Sequence, residues 1–200
     1  MEQNSRRFML NKNIFKKQTL IAGVITNKQT LSVIAEQKIQ AEKSLDIAEV
    51  RLDMIGHYKE WLEKIEKIEA KNIPVLLTIR DKNEGGNWQD SAKCKRINLF
   101  KKALQKPSLS AIDIEIGSPI FSELANFAKT KEVILIASYH NFEKTPDINT
   151  LRSIIASGFN AGAEMVKIAT FVNQKNDVKR LQNLLLAEKR PLCVIGMGDK

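Results

Sequence analysis

Seven short apolar runs, separated by longer amphipathic stretches, set the first limit on how this chain folds. They are residues 20–25 (LIAGVI), 47–54 (IAEVRLDM), 74–80 (PVLLTIR), 111–116 (AIDIEI), 133–140 (VILIASYH), 165–170 (MVKIAT) and 191–198 (PLCVIGMG). Among the stretches between them, residues 57–70, 91–105, 118–130 and 175–188 read as helices. In the last of these, Val178, Leu181, Leu184 and Leu185 recur at helical spacing with charges between them. Strands alternating with helices imply βαβ units, because a parallel partner is reached only through a long crossover. Two architectures meet that demand, a barrel and an open doubly wound sheet. No G-x-G-x-x-G follows the first run, so a dinucleotide-binding open sheet has no support. No linker or composition break divides the chain, so residues 1–200 are expected to form a single (β/α) barrel domain.

The charges within the runs favour the barrel. Residues two apart on a strand share a face, so Glu49, Arg51 and Asp53 fall together, opposite Ala48, Val50 and Leu52. Asp113 and Glu115 share a face in the same way, and Lys167 alternates with Val166 and Ile168. Arg80 closes its run and His140 ends another. A parallel strand covered on both sides should read as almost wholly apolar. Each buried ion costs several kcal/mol unless it is paired. Charges at the C-terminal ends of several strands are how barrel enzymes build a catalytic site. Lys167 is the hardest of these to explain as structure. A lysine flanked by Met165, Val166, Ile168 and Ala169 is expected to be desolvated, which favours the neutral, nucleophilic amine. His140 suits a general acid and base. Asp53 reads as an orienter, Asp113 and Glu115 equally as partners for an arginine, and His57 as a solvent-facing residue at a helix start. Read this far, the residues point to a lysine-imine lyase or aldolase acting on a small anionic keto compound.

Composition closes off other classes. No apolar stretch approaches the roughly 18 residues of a membrane span. The first eighteen residues have no apolar signal core, and are expected to form an arm or a strand over one barrel end. Cys94 and Cys193 sit in no motif and read as reduced cytoplasmic thiols. With only two histidines, neither near a cysteine, no metal is expected. The net charge of +9 is spread along the chain with few aromatic residues to stack on bases. It fits attraction of small anions better than nucleic-acid binding.

Six ordered motifs carry a closer resemblance. They are Glu49-Val50-Arg51-Leu52-Asp53; Thr78-Ile79-Arg80 through Glu84-Gly85-Gly86; Ile112-Asp113-Ile114-Glu115; Ser138-Tyr139-His140-Asn141-Phe142 with Thr145-Pro146; Gly162 through Ala169 around Lys167; and Met197-Gly198. Together they resemble the type I 3-dehydroquinate dehydratases of the shikimate pathway, which leads to chorismate and the aromatic amino acids. The resemblance implies a TIM (β/α)8-type barrel and a hydro-lyase without a cofactor, acting on 3-dehydroquinate through a lysine Schiff base. It implies Lys167 and His140 as catalytic residues, Glu49, Arg51 and Arg80 as substrate-binding residues, and Glu84, Asp113 and Asp53 as residues that orient them. It also implies a cytoplasmic homodimer. The sequence departs from the family at Asn141, where an aspartate is usual. It also stops at Lys200, before the family's S-R pair, final helix, eighth strand and Ser/Gln loop. The expected barrel therefore lacks its eighth strand and final helices, being C-terminally truncated relative to the family. A catalytically impaired remnant or another lysine-imine, aldolase-like enzyme is the alternative reading.

Overall fold

The computed structural model describes residues 20–36, 45–89, 93–106 and 108–198. The arm expected over the first eighteen residues lies outside them. The elements alternate throughout: β1 (Ala22–Ile25), α1 (Lys28–Glu36), β2 (Ile47–Arg51), α2 (Leu52–Ile55), α3 (Trp61–Glu69), β3 (Val75–Thr78) and α4 (Lys93–Leu104) come first. They are followed by β4 (Ala111–Glu115), α5 (Phe121–Thr130), β5 (Ile134–Asn141), α6 (Ile148–Asn160), β6 (Met165–Phe171), α7 (Lys175–Ala187) and β7 (Leu192–Met197). The seven strands form one sheet in the order β1 to β7, and every neighbouring pair is parallel. A doubly wound sheet would reverse its strand order part-way. This order never reverses, and the sheet curls as a (β/α) barrel does. Among the described residues β1 and β7 do not pair with each other, so each leaves one edge free.

Alternation along each strand divides the apolar side chains between two clusters. The larger lies between sheet and helices, and includes Val50, Leu77, Ile112, Leu135 and Val166 with Phe100 and Leu124 from the helices. The smaller, Ile47, Leu76, Ala111, Ile134 and Ile136 with Met165 against it, comes from the other faces of the same strands. It floors the barrel interior near the strand N-termini. Above that floor the inner face of β2 to β6 turns polar two residues further along, at Glu49, Thr78, Asp113, Ser138 and Lys167. Register aligns the polar layer: Thr78 pairs with Asp113, Glu115 with Ser138, Ser138 with Lys167, and Lys167 with Cys193.

One local expectation changes. Residues 47–54 do not form one strand, because β2 ends at Arg51 and Leu52–Ile55 turn into the short helix α2. Asp53 therefore leaves the strand face shared with Glu49 and reaches Arg51 from the helical turn. His57 is exposed, as expected, and lies in the connection before α3 with its ring 6.2 Å from that of Trp88.

Candidate active site

Within the polar layer inside the barrel, Arg80, Glu115, Ser138 and Asp113 form one hydrogen-bond network, and Asp113 lies at its base. It is fully buried on β4. Its Oδ1 accepts from Arg80 Nη2 at 2.8 Å and from Ser138 Oγ at 2.6 Å. Its Oδ2 accepts no hydrogen bond, but lies 3.7 Å from Lys167 Nζ. Burial would raise the Asp113 pKa, yet Arg80, Lys167 and the Ser138 hydroxyl outweigh it and hold the carboxyl at about 2. Arg80, two residues past β3, is 3% exposed and also donates to Glu115 Oε1 at 3.1 Å and Ser138 Oγ at 2.6 Å. Burial works against its charge, but Asp113 and Glu115 raise its pKa above the ordinary arginine value. Most of this guanidinium is thus engaged with protein. Lys167 projects from mid-β6 into the same interior, and its side chain keeps 19% of its surface open.

His140, near the end of β5, is held by a turn. The Glu84 carboxylate accepts from the His140 backbone N–H at 3.0 Å and lies 2.9 Å from its Nδ1. If Nδ1 carries the proton in that contact, Nε2 is left to exchange one with a ligand. The E-G-G sequence has a steric reason. Gly85 sits in the left-handed region at φ 77°, and a Cβ there would come 2.3 Å from the Phe142 ring. A Cβ on Gly86 would lie 2.0 Å from the Arg80 carbonyl oxygen. The Phe142 ring in turn stacks near His140, with centroids 6.4 Å apart. Asn141 Oδ1 accepts from the N–H groups of Glu143 and Lys144, at 3.0 and 2.9 Å. Its carbonyl oxygen closes the loop as a carboxylate oxygen would, so the departure from aspartate leaves that bond intact.

Arg51 lies at the strand end above Glu49. Asp53 accepts from its Nε at 3.0 Å and its Nη2 at 2.9 Å, a two-pronged grip that fixes the fork. The Arg51 side chain remains 18% exposed. Glu49 is buried and accepts from Thr78 Oγ1 at 2.8 Å.

Three participants were given no role in the site by the sequence. Ser138 bridges Asp113 and Arg80. Cys193 is free and faces the interior beside Lys167; burial pushes its thiol pKa up. Arg96, on α4, is 3% exposed and donates to the Ile79 carbonyl at 2.8 Å and to Glu115 Oε2. Its signal was spacing: Arg96, Phe100 and Ala103 share one helix face, and the last two are wholly buried.

The sequence model of the family described as type I 3-dehydroquinase matches residues 21–200. The chain belongs to this family. A 3-dehydroquinate dehydratase of Methanosarcina mazei is 33% identical over 193 residues, covering 92% of this chain and 78% of the relative. One from Methanocaldococcus jannaschii is 37% identical over 168 residues, covering 80% and 72%. The crystal structure of the Aquifex aeolicus 3-dehydroquinate dehydratase superposes with a TM-score of 0.76 at 31% identity, over 90% of this chain and 80% of that one. The Clostridium difficile type I enzyme, solved with covalently modified comenic acid, gives 0.77 at 28% identity over 90% and 76%. Members of the type I 3-dehydroquinase family thus share this chain's parallel barrel architecture as well as its sequence.

Proposed function

We propose that this protein dehydrates 3-dehydroquinate to 3-dehydroshikimate through an imine on Lys167. The observation that carries the reading is the convergence of Lys167 and His140 on one inner face. They stand on neighbouring strands, two register positions apart, above the buried Asp113–Arg80 pair. Family membership supplies the substrate class, since the relatives are hydro-lyases of that name in aromatic biosynthesis. That the Clostridium difficile enzyme holds covalently modified comenic acid adds support for covalent chemistry.

In this mechanism the unprotonated Lys167 amine attacks the C3 ketone, and the adduct loses water to give the imine. The imine withdraws electrons and acidifies the C2 proton, which His140 removes to form an enamine. The enamine expels the C1 hydroxyl while His140 returns a proton, so the group leaves as water. Hydrolysis then releases the enone product and restores the lysine. Glu84 holds the His140 ring for both transfers, and Asp113 faces the Lys167 ammonium whenever that group is charged. Glu49, Arg51 and Arg80 take the substrate's polar groups. Of the two arginines, Arg51 has the more open surface, and its fork, fixed by Asp53, suits a carboxylate or paired hydroxyls. By family resemblance the protein works in the cytoplasm as a homodimer. Light scattering should then give twice the 22.6 kDa chain mass.

The test is turnover followed by the ultraviolet absorbance of the enone. The wild-type chain should generate it from 3-dehydroquinate, H140A about 10²–10⁴-fold more slowly, and K167M not at all. A folded wild-type protein that forms no enone would rule out the reading. A panel of other keto acids would then look for an aldolase-like activity.

A further inference from the structure

We propose that Arg96 is a positioning residue: by holding one oxygen of Glu115 it fixes the other as a shared anchor for Arg80, beneath Lys167, and for the turn that presses Glu84 against His140. The connections run through one carboxylate that is 1% exposed. Glu115 Oε1 accepts from Arg80 Nη1 at 3.1 Å and from the Asp81 backbone N–H at 3.0 Å. Through Arg80 this oxygen reaches Asp113, and through Asp113 it reaches Lys167. Asp81 opens the turn: its carbonyl accepts from Glu84 N at 3.0 Å and Gly86 N at 2.9 Å, and Glu84 then grips His140. One oxygen thus carries both arms of the site.

A carboxylate held through only one oxygen can swing about its last bond. The second oxygen, Oε2, is held by Arg96 Nη2. Arg96 has little freedom of its own. Its Nε donates to the Ile79 carbonyl at 2.8 Å, its Nη1 reaches Ser118 Oγ at 3.4 Å, and its guanidinium lies 5.9 Å from the Phe100 ring centroid. Charge supports the same role. Arg80 and Arg96 face three buried carboxylates, Asp113, Glu115 and Asp81, the last with its Oδ2 3.7 Å from Arg96 Nη1, so removing Arg96 leaves buried negative charge uncompensated. The charged groups around His140 itself are Glu84 from the turn, Asp113 from β4 and Lys167 from β6.

The inference rests on the proposed roles of His140 and Lys167, but its main readout does not require turnover. The chain has two histidines, so ring NMR yields two sets of ring signals, and exposed His57 serves as the internal control. R96M and E115Q should each move the His140 ring signals at one fixed pH, because the turn that carries Glu84 loses its anchor, while the His57 signals hold. R96K keeps the charge but loses the fork. It should also move the His140 signals while kcat falls about tenfold at similar KM. A change confined to His140 and shared by these variants would not follow from a loss of stability alone. His140 ring signals unchanged in either folded R96M or E115Q overturn the proposal, even if the melting temperature drops. If neither variant folds, an R96K kcat equal to wild type overturns it. Should the wild type show no turnover, the functional reading fails, while the NMR arms still decide the role of Arg96.

Discussion

At the scale of single residues, the barrel interior stays habitable for charge because each ion has a partner. Asp113 is the clearest case. Its carboxyl has an ordinary pKa of 3.8 in the unfolded chain and about 2 in the fold. The folded value is the lower one, so the linkage is stabilising above pH 3.8 and is lost as pH falls through 2. Denaturant melts between these pH values should show stability falling more steeply in wild type than in D113N. At neutral pH, D113N should lose about 3–5 kcal/mol, because the buried Arg80 loses its nearer carboxylate and keeps only Glu115, which Arg96 shares. Much of this was legible beforehand. Charged residues alternating with Val, Ile and Ala in strand-like runs have few places to go except an inner polar layer. Arg96 was not legible, because in KCKRINLFKK it looks like one more surface cation; only its spacing from Phe100 gave it away. Cys193 was read as a bland thiol, since pairing register with Lys167 is not visible until the strands are assembled.

At the scale of elements, the turn after β3 is the joint between the two arms of the site. Its glycines are there for space. Gly85 needs a left-handed backbone, and Gly86 packs against the Arg80 carbonyl with no room for a methyl group. G86A should destabilise the fold by about 1–3 kcal/mol through backbone displacement. It should also weaken activity, because the same displacement moves Glu84 away from His140. Calorimetry and enone assays on one preparation check both effects. The strand and helix pattern was readable because amphipathic helices and apolar strands have different periods. The break at Arg51 was not, since LDMI carries no proline or glycine to mark the end of β2. Only the structure shows Asp53 gripping Arg51 from a helical turn rather than from a strand face.

At the scale of the whole molecule, two features set the conditions under which the site works. Among the described residues the sheet has free edges at β1 and β7, and Val24 and Ile195, on their inner-facing positions, are 52% and 40% exposed. The net charge of +9 should draw an anionic substrate toward the protein. Raising salt from roughly 0.05 to 0.5 M shortens the screening length from more than 10 Å to a few Å. Steady-state kinetics should then show KM rising several-fold while kcat holds. If one inward-facing amine condenses with the substrate ketone, borohydride reduction of the protein with 3-dehydroquinate will trap the imine. Intact-mass and peptide mass spectrometry should then find a stable adduct on the peptide carrying Lys167 and none in K167M. An unmodified wild-type mass, or an adduct on another lysine, would contradict that condensation.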